Sequence, residues 1–299
     1  MTAPRLTVHV DRRTGELRED PIWSPRLLRW AYDTEPGWLL TRLVLSRPWI
    51  SRLYGWLNAR PRSRRKIAAF IRRMGVDVDE CVKRVSEFES FNDFIIREID
   101  LSRRGMDPDP ATCVAPVDGR VLAYPVVEAD RVFTVKHAQL DVRSLVKDER
   151  LASSYAGGSL VVSRLHLSDY HHFHFPAEGT PRGAVRIPGR LFAVTPYSAS
   201  RLVPFFTENY RMLTVFDSDR FGQMLIVEVG AFSIGSIQQR YVSGQHVARG
   251  AHKGFFQLGA SVVMLLFRRG TIRLDSDICA NTERGVDTYV RLGEHIGRA

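Results

Sequence analysis

The chain has 299 residues, enough for one large domain or one domain with an appendage, and its 44% apolar and 25% charged content is that of a folded globular protein. Its three cysteines, Cys81, Cys113 and Cys279, lie far apart with no C-x-x-C pair, which excludes a zinc ribbon or a disulfide scaffold. A net charge of +10 asks for an anionic partner, nucleic acid or an acidic membrane surface, while the longest unbroken apolar run, Val262 to Phe267, is far short of the ~20 residues of a spanning helix.

The first twenty residues have no apolar core, so no secretory signal is expected there. From Pro36 to Val76 there is no Asp or Glu, yet the stretch carries ten cations: Arg42, Arg47, Arg52, Arg60, Arg62, Arg64, Arg65, Lys66, Arg72 and Arg73. All five tryptophans, Trp23, Trp30, Trp38, Trp49 and Trp56, lie in or near it. Tryptophan favours the headgroup level of a bilayer, and arginine pairs with lipid phosphate. Apolar residues from Leu39 to Leu57 recur at helical spacing, and Pro48 should split them into two short helices. Arg62 to Met74 reads as a third helix, with Ile67, Phe70, Ile71 and Met74 on one face. The expectation is a set of amphipathic helices lying in a membrane interface through Trp38, Trp49, Trp56, Arg62, Arg64, Arg65 and Lys66. The plainer alternative is a solvated basic face over inward-packed tryptophans. No nucleic-acid motif is present, so nucleic acid is not expected as partner.

Ser90-Phe91-Asn92-Asp93 fits a helix N-cap, and Phe91, Phe94, Ile95 and Ile99 predict a helix ending near Leu101. Gly105, Pro108 and Pro110 mark a boundary, giving a helical region 1–105 and a β-rich region 106–299. In the latter, short apolar runs between Gly and Pro predict strands at Cys113–Tyr124, Leu160–Leu167, Leu191–Val194, Met212–Phe216, Gln223–Ile237 and Ser261–Phe267. The fold class is α+β, the β part a sandwich or barrel-like domain. No glycine-rich phosphate loop appears, so no nucleotide cofactor is expected.

Three segments carry chemistry. One is the turn Pro116-Val117-Asp118-Gly119; another is Asp169-Tyr170-His171-His172-Phe173-His174-Phe175-Pro176; the last is Gly254-Phe255-Phe256-Gln257-Leu258-Gly259-Ala260-Ser261. Four of the nine histidines fall between His166 and His174. A strand would put His172 and His174 on one face and His171 on the other. Metal binding by two of them lacks a second Cys/His cluster to complete it, so no metal is expected. Acid–base work is the stronger reading, with satisfied structural histidines as the plain alternative.

These segments, in this order, resemble the phosphatidylserine decarboxylase family, which carries P-x-D-G, then D-Y-H-R-x-H-x-P, then G-x-F-x-[LF]-G-S-T before an apolar strand. Ser90 to Arg97, Pro188 to Val194 and Val229 to Ile237 add lesser matches, so the likeness spans about residues 25 to 275. The resemblance implies a self-processing zymogen that turns phosphatidylserine into phosphatidylethanolamine and CO2. In the family a serine attacks the preceding glycyl carbonyl, the chain breaks, and a covalent pyruvoyl group forms. That group takes the substrate amine as a Schiff base and serves as electron sink. Carried over, Asp118 and His174 assist the serine, His171 handles the proton, and processing falls between Gly259 and Ala260. Expected partners are phosphatidylserine and the anionic, cytoplasmic face of the cell membrane, bound peripherally; a homodimer is left open.

The chain departs from the family where it matters most. Ala260 occupies the serine position and has no oxygen, so neither ester nor pyruvoyl is expected. His172 replaces the motif arginine, His137 a glycine, and Asn209-Tyr210-Arg211 stands for N-E-R. Three accounts follow: a decarboxylase blocked at one atom, a non-catalytic lipid-binding relative, or a role for Ser261, which sits about 3.3 Å further along a strand and faces the other way. The first is preferred. A histidine-ligated metallohydrolase is a distant alternative.

Overall fold

A computed structural model describes residues 8–127, 133–135, 138–201, 203–232, 236–257 and 261–299. Gly259, Ala260 and His137 lie outside the described residues.

The strands are β1 (Val8–Asp11), β2 (Leu17–Glu19), β3 (Thr112–Val114), β4 (Gly119–Val127), β5 (Phe133–Val135), β6 (Ala138–Leu140), β7 (Gly158–Leu165), β8 (His172–His174) and β9 (Gly179–Pro181). They continue as β10 (Val185–Ile187), β11 (Arg211–Ser218), β12 (Gly222–Val229), β13 (Ser236–Gln239), β14 (His252–Gln257), β15 (Ser261–Phe267), β16 (Arg273–Leu274), β17 (Asp287–Val290) and β18 (His295–Arg298). Ten of them form one sheet in the order β10-β11-β12-β15-β7-β4-β17-β1-β2, with β9 beside β10 on β11. The ladder has two free ends, so the described residues form an open sheet and not a closed barrel. Its centre, β7 and β15, is buried along its whole length, as expected of strands covered on both faces.

A smaller sheet, β13-β14-β8, packs face to face on β11 and β12. Phe175 stacks on Phe216, with ring centroids 5.2 Å apart. Beneath it the fully buried Lys253 donates to Glu228 at 2.8 Å, Gln239 at 2.8 Å and Thr214 at 3.0 Å. Burial shifts both partners toward neutrality, raising the Glu228 carboxyl and lowering the Lys253 ammonium. The pair ties the two sheets together.

The front region holds α1 (Pro25–Asp33), α2 (Glu35–Leu40), a π-helical turn at Thr41–Leu45, α3 (Pro48–Asn58) and α4 (Ile67–Met74). Pro48 opens α3, where its missing N–H is not needed. In α4, Ile67, Phe70 and Met74 are buried against Phe88, Phe91 and Phe94, the stripe expected from spacing. Helices α1 and α2 and the turn before α3 rest on the segment after Arg190. The Leu191 amide donates to the Ser46 carbonyl at 2.8 Å, the Ala193 amide to the Tyr32 hydroxyl at 2.9 Å, and Trp38 stacks on Phe192.

Four expectations are corrected. Leu191–Val194 is no strand, because its amides are taken by those helix groups and by the Asn209 side chain. Gln223–Ile237 is two strands, β12 and β13, in different sheets. The helix begun at Ser90, whose hydroxyl accepts the Asp93 amide at 3.1 Å, stops at Ile95, short of Leu101. Beyond it, residues 98–100 run extended against 80–82, with Val82 donating to Glu98 and Asp100 to Glu80. Finally, the region read as helical opens on two strands: β1 lies parallel to β17, so residues near the start extend the large sheet.

Candidate active site

Strand β8 brings the three chemical segments together. Its His174 amide donates to the Pro116 carbonyl of the aspartate turn at 2.9 Å. On its other edge it pairs with β14, His252 opposite His174 and Phe255 opposite His172, while the Phe256 amide donates to the His171 carbonyl at 2.9 Å. Strand β14 ends at Gln257, and Ser261 opens β15, so the Gly259–Ala260 bond is bracketed by strands in contact with the histidines or with β7. Gly254 is required here: a Cβ would sit 2.0 Å from the Gln238 carbonyl oxygen and 2.7 Å from the Phe173 ring.

The rings of His172 and His174 share one face, as a strand demands, with Tyr170 and His252. Tyr170 lies parallel to His172 with centroids 4.8 Å apart, and His252 stacks on His172 at 5.0 Å. His174 Nδ1 donates to the Gly250 carbonyl at 2.9 Å, which leaves Nε2 as the basic nitrogen, 3.4 Å from the Tyr170 hydroxyl. His172 Nε2 donates to the Ile96 carbonyl at 3.0 Å, so its Nδ1 accepts from His252 Nε2, also at 3.0 Å. Burial pulls both His172 and His174 down to about 4. Burial thus favours the neutral rings over the imidazolium forms. His171 turns the other way and is fully buried; its Nδ1 donates to the Asp169 carbonyl at 2.9 Å.

Asp118 is fully buried. It accepts the Leu292 amide at 2.8 Å and both Arg104 Nη atoms, at 3.2 and 3.0 Å. Its pKa is raised by burial, against the lowering field of Arg104. The Asp118 carboxylate and the His174 ring are joined through backbone, at Pro116, and share no side-chain hydrogen bond among the described residues. Asp169 accepts the His166 amide at 2.7 Å and is ion-paired to Arg120, which also holds Asp20. Ser261 is fully buried, and its Oγ has no hydrogen-bond partner among the described residues.

A model of the phosphatidylserine decarboxylase family matches residues 91–298. The chain is 37% identical over 289 residues to the phosphatidylserine decarboxylase proenzyme of Desulfitobacterium hafniense strain Y51, covering 97% of each. It is 38% identical over 291 residues to that of Chlamydia felis, again 97% of each, and 35% over 287 residues to that of Ruminiclostridium cellulolyticum, 96% of each. The chain belongs to the phosphatidylserine decarboxylase family.

Within this decarboxylase-family chain, sequence reasoning missed His252, Tyr170 as a ring partner, Arg104 and Arg120. His252 was legible in principle: it precedes Lys253-Gly254, on the strand that the resemblance places beside the histidines. Arg211, in the variant N-Y-R triplet, is fully buried and donates to the carbonyls of Leu145, Ser144, Thr207 and Asn209, which makes it a structural clamp. Among the described residues the one group with metal-ligand spacing is Glu178, Asp219 and His246, exposed and apart from the His171–His174 segment.

Of the residues expected at a membrane, Trp49 is 56% and Trp56 53% exposed, and Leu27, Trp30, Leu39, Leu40, Leu43, Leu53 and Leu57 are exposed beside them in sequence. Trp38 is different: it is half-buried between Tyr32 and Phe192. Arg64 donates to the Ser86 carbonyl at 2.5 Å and Lys66 to Asn58 at 2.8 Å, whereas Arg62 and Arg65 are exposed and make no hydrogen bond or ion pair among the described residues. No helix is long and apolar enough to cross a membrane.

Proposed function

We propose that this chain is built to decarboxylate phosphatidylserine to phosphatidylethanolamine, and that as written it is held at the precursor stage. The observation that carries the proposal is the convergence on β8 of the aspartate turn, the histidine segment and the strand leading to residue 260. The pyruvoyl group of the family supplies an electron sink for loss of CO2. It does not fit the residue present: Ala260 has no hydroxyl from which it could be made.

The chain's own groups supply the surrounding chemistry. His174, neutral and with Nδ1 fixed by the Gly250 carbonyl, presents Nε2 as a base for a hydroxyl at position 260. His171, on the opposite face of its strand and beside Phe256, is the proposed proton donor and acceptor for substrate. Asp118 holds its turn through Leu292 and Arg104 and supports the His174 strand through Pro116.

Substrate is proposed to arrive from an anionic bilayer, at the cytoplasmic face, on which α1 to α3 lie peripherally. The exposed leucines, Trp49 and Trp56 supply the apolar contact and Arg62 and Arg65 the charge. The alanine at 260 favours one second reading, a non-catalytic lipid-binding relative.

One substitution separates the two. The chain as written is expected to run as a single 34.0 kDa band on a denaturing gel, and Ala260→Ser to give two fragments, 1–259 and 260–299, with CO2 release from phosphatidylserine. A single band and no CO2 from Ala260→Ser in detergent and in vesicles would leave only the lipid-binding reading.

A further inference from the structure

A cavity of about 270 Å³ lies on the Asp118 side of the site, walled by the residues after α4, by the 97–104 segment, and by Asp169, Tyr170, Tyr289 and Arg291. It is far roomier than the ~30 Å³ share of one water and close to the lower end of small-ligand sites. Five arginines line it: Arg18, Arg97, Arg104, Arg120 and Arg291. Four are ion-paired: Arg18 to Asp11, Arg104 to Glu80 and Asp118, Arg120 to Asp20 and Asp169, and Arg291 to Glu80.

Arg97 is the exception among the described residues. It is 5% exposed and donates through Nη2 to the Ser168 carbonyl at 2.5 Å, while its plane lies over Phe94. Among the described residues its Nε and Nη1 have no hydrogen-bond partner within ordinary distance, and neither has the neighbouring Arg104 Nε. The carboxylates that could serve it are taken: Asp118 by Arg104 and the Leu292 amide, Asp169 by Arg120 and the His166 amide. Asp77, at the rim, is exposed and accepts the Asp79 amide. The thiol of Cys81 sits beside Arg97, but burial keeps it protonated. Asp169 and Asp118 act on Arg97 only through their fields, without an ion pair or hydrogen bond; a buried guanidinium so placed is expensive, and its planar fork matches the oxygens of a phosphate or carboxylate.

We propose that Arg97, with Arg104 Nε behind it, is the seat for an oxyanion in this cavity. Resting on the decarboxylase reading, that anion belongs to the phosphoserine headgroup; free phosphate is the other source of the same chemistry.

The test uses the full chain with Ala260 in place, so that nothing is turned over. O-phospho-L-serine and inorganic phosphate are titrated calorimetrically at constant ionic strength. O-phospho-L-serine is expected to bind saturably, at least tenfold tighter than phosphate, with a tenfold or greater loss in Arg97→Gln and a smaller loss in Arg97→Lys, which keeps charge without the fork. Equal affinity for the two anions, both lost in Arg97→Gln, supports the seat and assigns it to free phosphate. Binding of neither, or binding indifferent to Arg97, overturns it. Circular dichroism checks each variant's folding; should Arg97→Gln not fold, Arg97→Lys and thermal stabilisation of the unaltered chain by O-phospho-L-serine decide, and no stabilisation overturns the seat. Ala260→Ser that processes and releases CO2 without Arg97-dependent anion binding sinks the seat alone. Anion binding by a chain whose Ala260→Ser variant stays silent sinks the decarboxylase reading and leaves the seat.

Discussion

The histidine strand and the front helices place their important side chains by opposite means. Around β8, polar rings are buried, and each is aimed by a hydrogen bond to a fixed carbonyl: His174 to Gly250, His172 to Ile96, His171 to Asp169. Along α1 to α3, large apolar side chains stand in water, while Trp38 packs on Phe192, Tyr54 on Phe232 and Tyr32 on Trp38. Buried polar groups need partners, so the first region is rigid by construction. Exposed apolar groups are left without a covering, and the proposed membrane contact of the second region would supply one.

The strongest way to break this contrast is in the Ala260→Ser background. His174→Ala there is expected to slow self-cleavage roughly 10²- to 10⁴-fold, the range of a lost general base. Asp118→Asn should stall it less, because Asp118 reaches β8 only through the Pro116 backbone. Time-resolved denaturing gels measure both, and an Asp118→Asn effect exceeding that of His174→Ala would mean that the aspartate acts directly.

Next in size is the floor under the histidines. Lys253→Met leaves Glu228 buried and uncompensated and should cost about 3–5 kcal/mol in urea unfolding, most of it recovered by adding Glu228→Leu. An additive double variant would show that the pair does not tie the sheets.

Third is acidity. His172 and His174 titrate near 4 in the folded chain and near 6.5 unfolded, so the unfolded state binds more protons between those values. Their stabilising contribution is complete above pH 6.5 and is lost as pH falls toward 4, with a ceiling of roughly 3 kcal/mol per ring. Urea midpoints followed from pH 7.5 to 4 should fall, and His174→Phe should flatten the slope.

The smallest effects belong to the helices. Liposome sedimentation should show binding that grows with anionic lipid; Arg62→Gln and Arg65→Gln should each remove about 1 kcal/mol of its salt-sensitive part, and Trp49→Ala with Trp56→Ala the salt-resistant part. Arg64→Gln and Lys66→Gln should do less, since those cations are engaged by Ser86 and Asn58. Trp38→Ala should lower the thermal midpoint instead of the binding, because it unseats a ring stacked on Phe192. A protein that stays in the supernatant with acidic vesicles at low salt would make these helices a packing or partner surface.

What could be read beforehand follows the same division. Strands β7 and β15 were legible because each centres on a continuous run of apolar residues, and α4 because its apolar stripe recurs at helical spacing. The pairing of His252 with His174 was not, since register depends on a bulge between His252 and Gly254. Leu191–Val194 misled for a related reason: a strand-like run of apolar residues can have its amides taken by Ser46, Tyr32 and Asn209. Arg104 and Arg120 carried no local pattern, because their carboxylate partners lie far off in sequence. The aspartate turn, the histidine segment and the β14 strand were each visible, but their meeting on one ladder required the fold.

The position of β15 gives the proposed processing point an unusual mechanical setting. This strand lies between β12 and β7, β17 lies between β4 and β1, and β18 pairs with β3. A cut between 259 and 260 would therefore sever the chain without freeing either piece: the 40-residue tail is a woven thread whose removal means dismantling the sheet. Size-exclusion chromatography of a cut molecule should match the uncut one, and only denaturant should part the two. For the same reason, a tail synthesised separately would have to enter between strands already paired, so the two pieces are best made as one chain and divided afterwards.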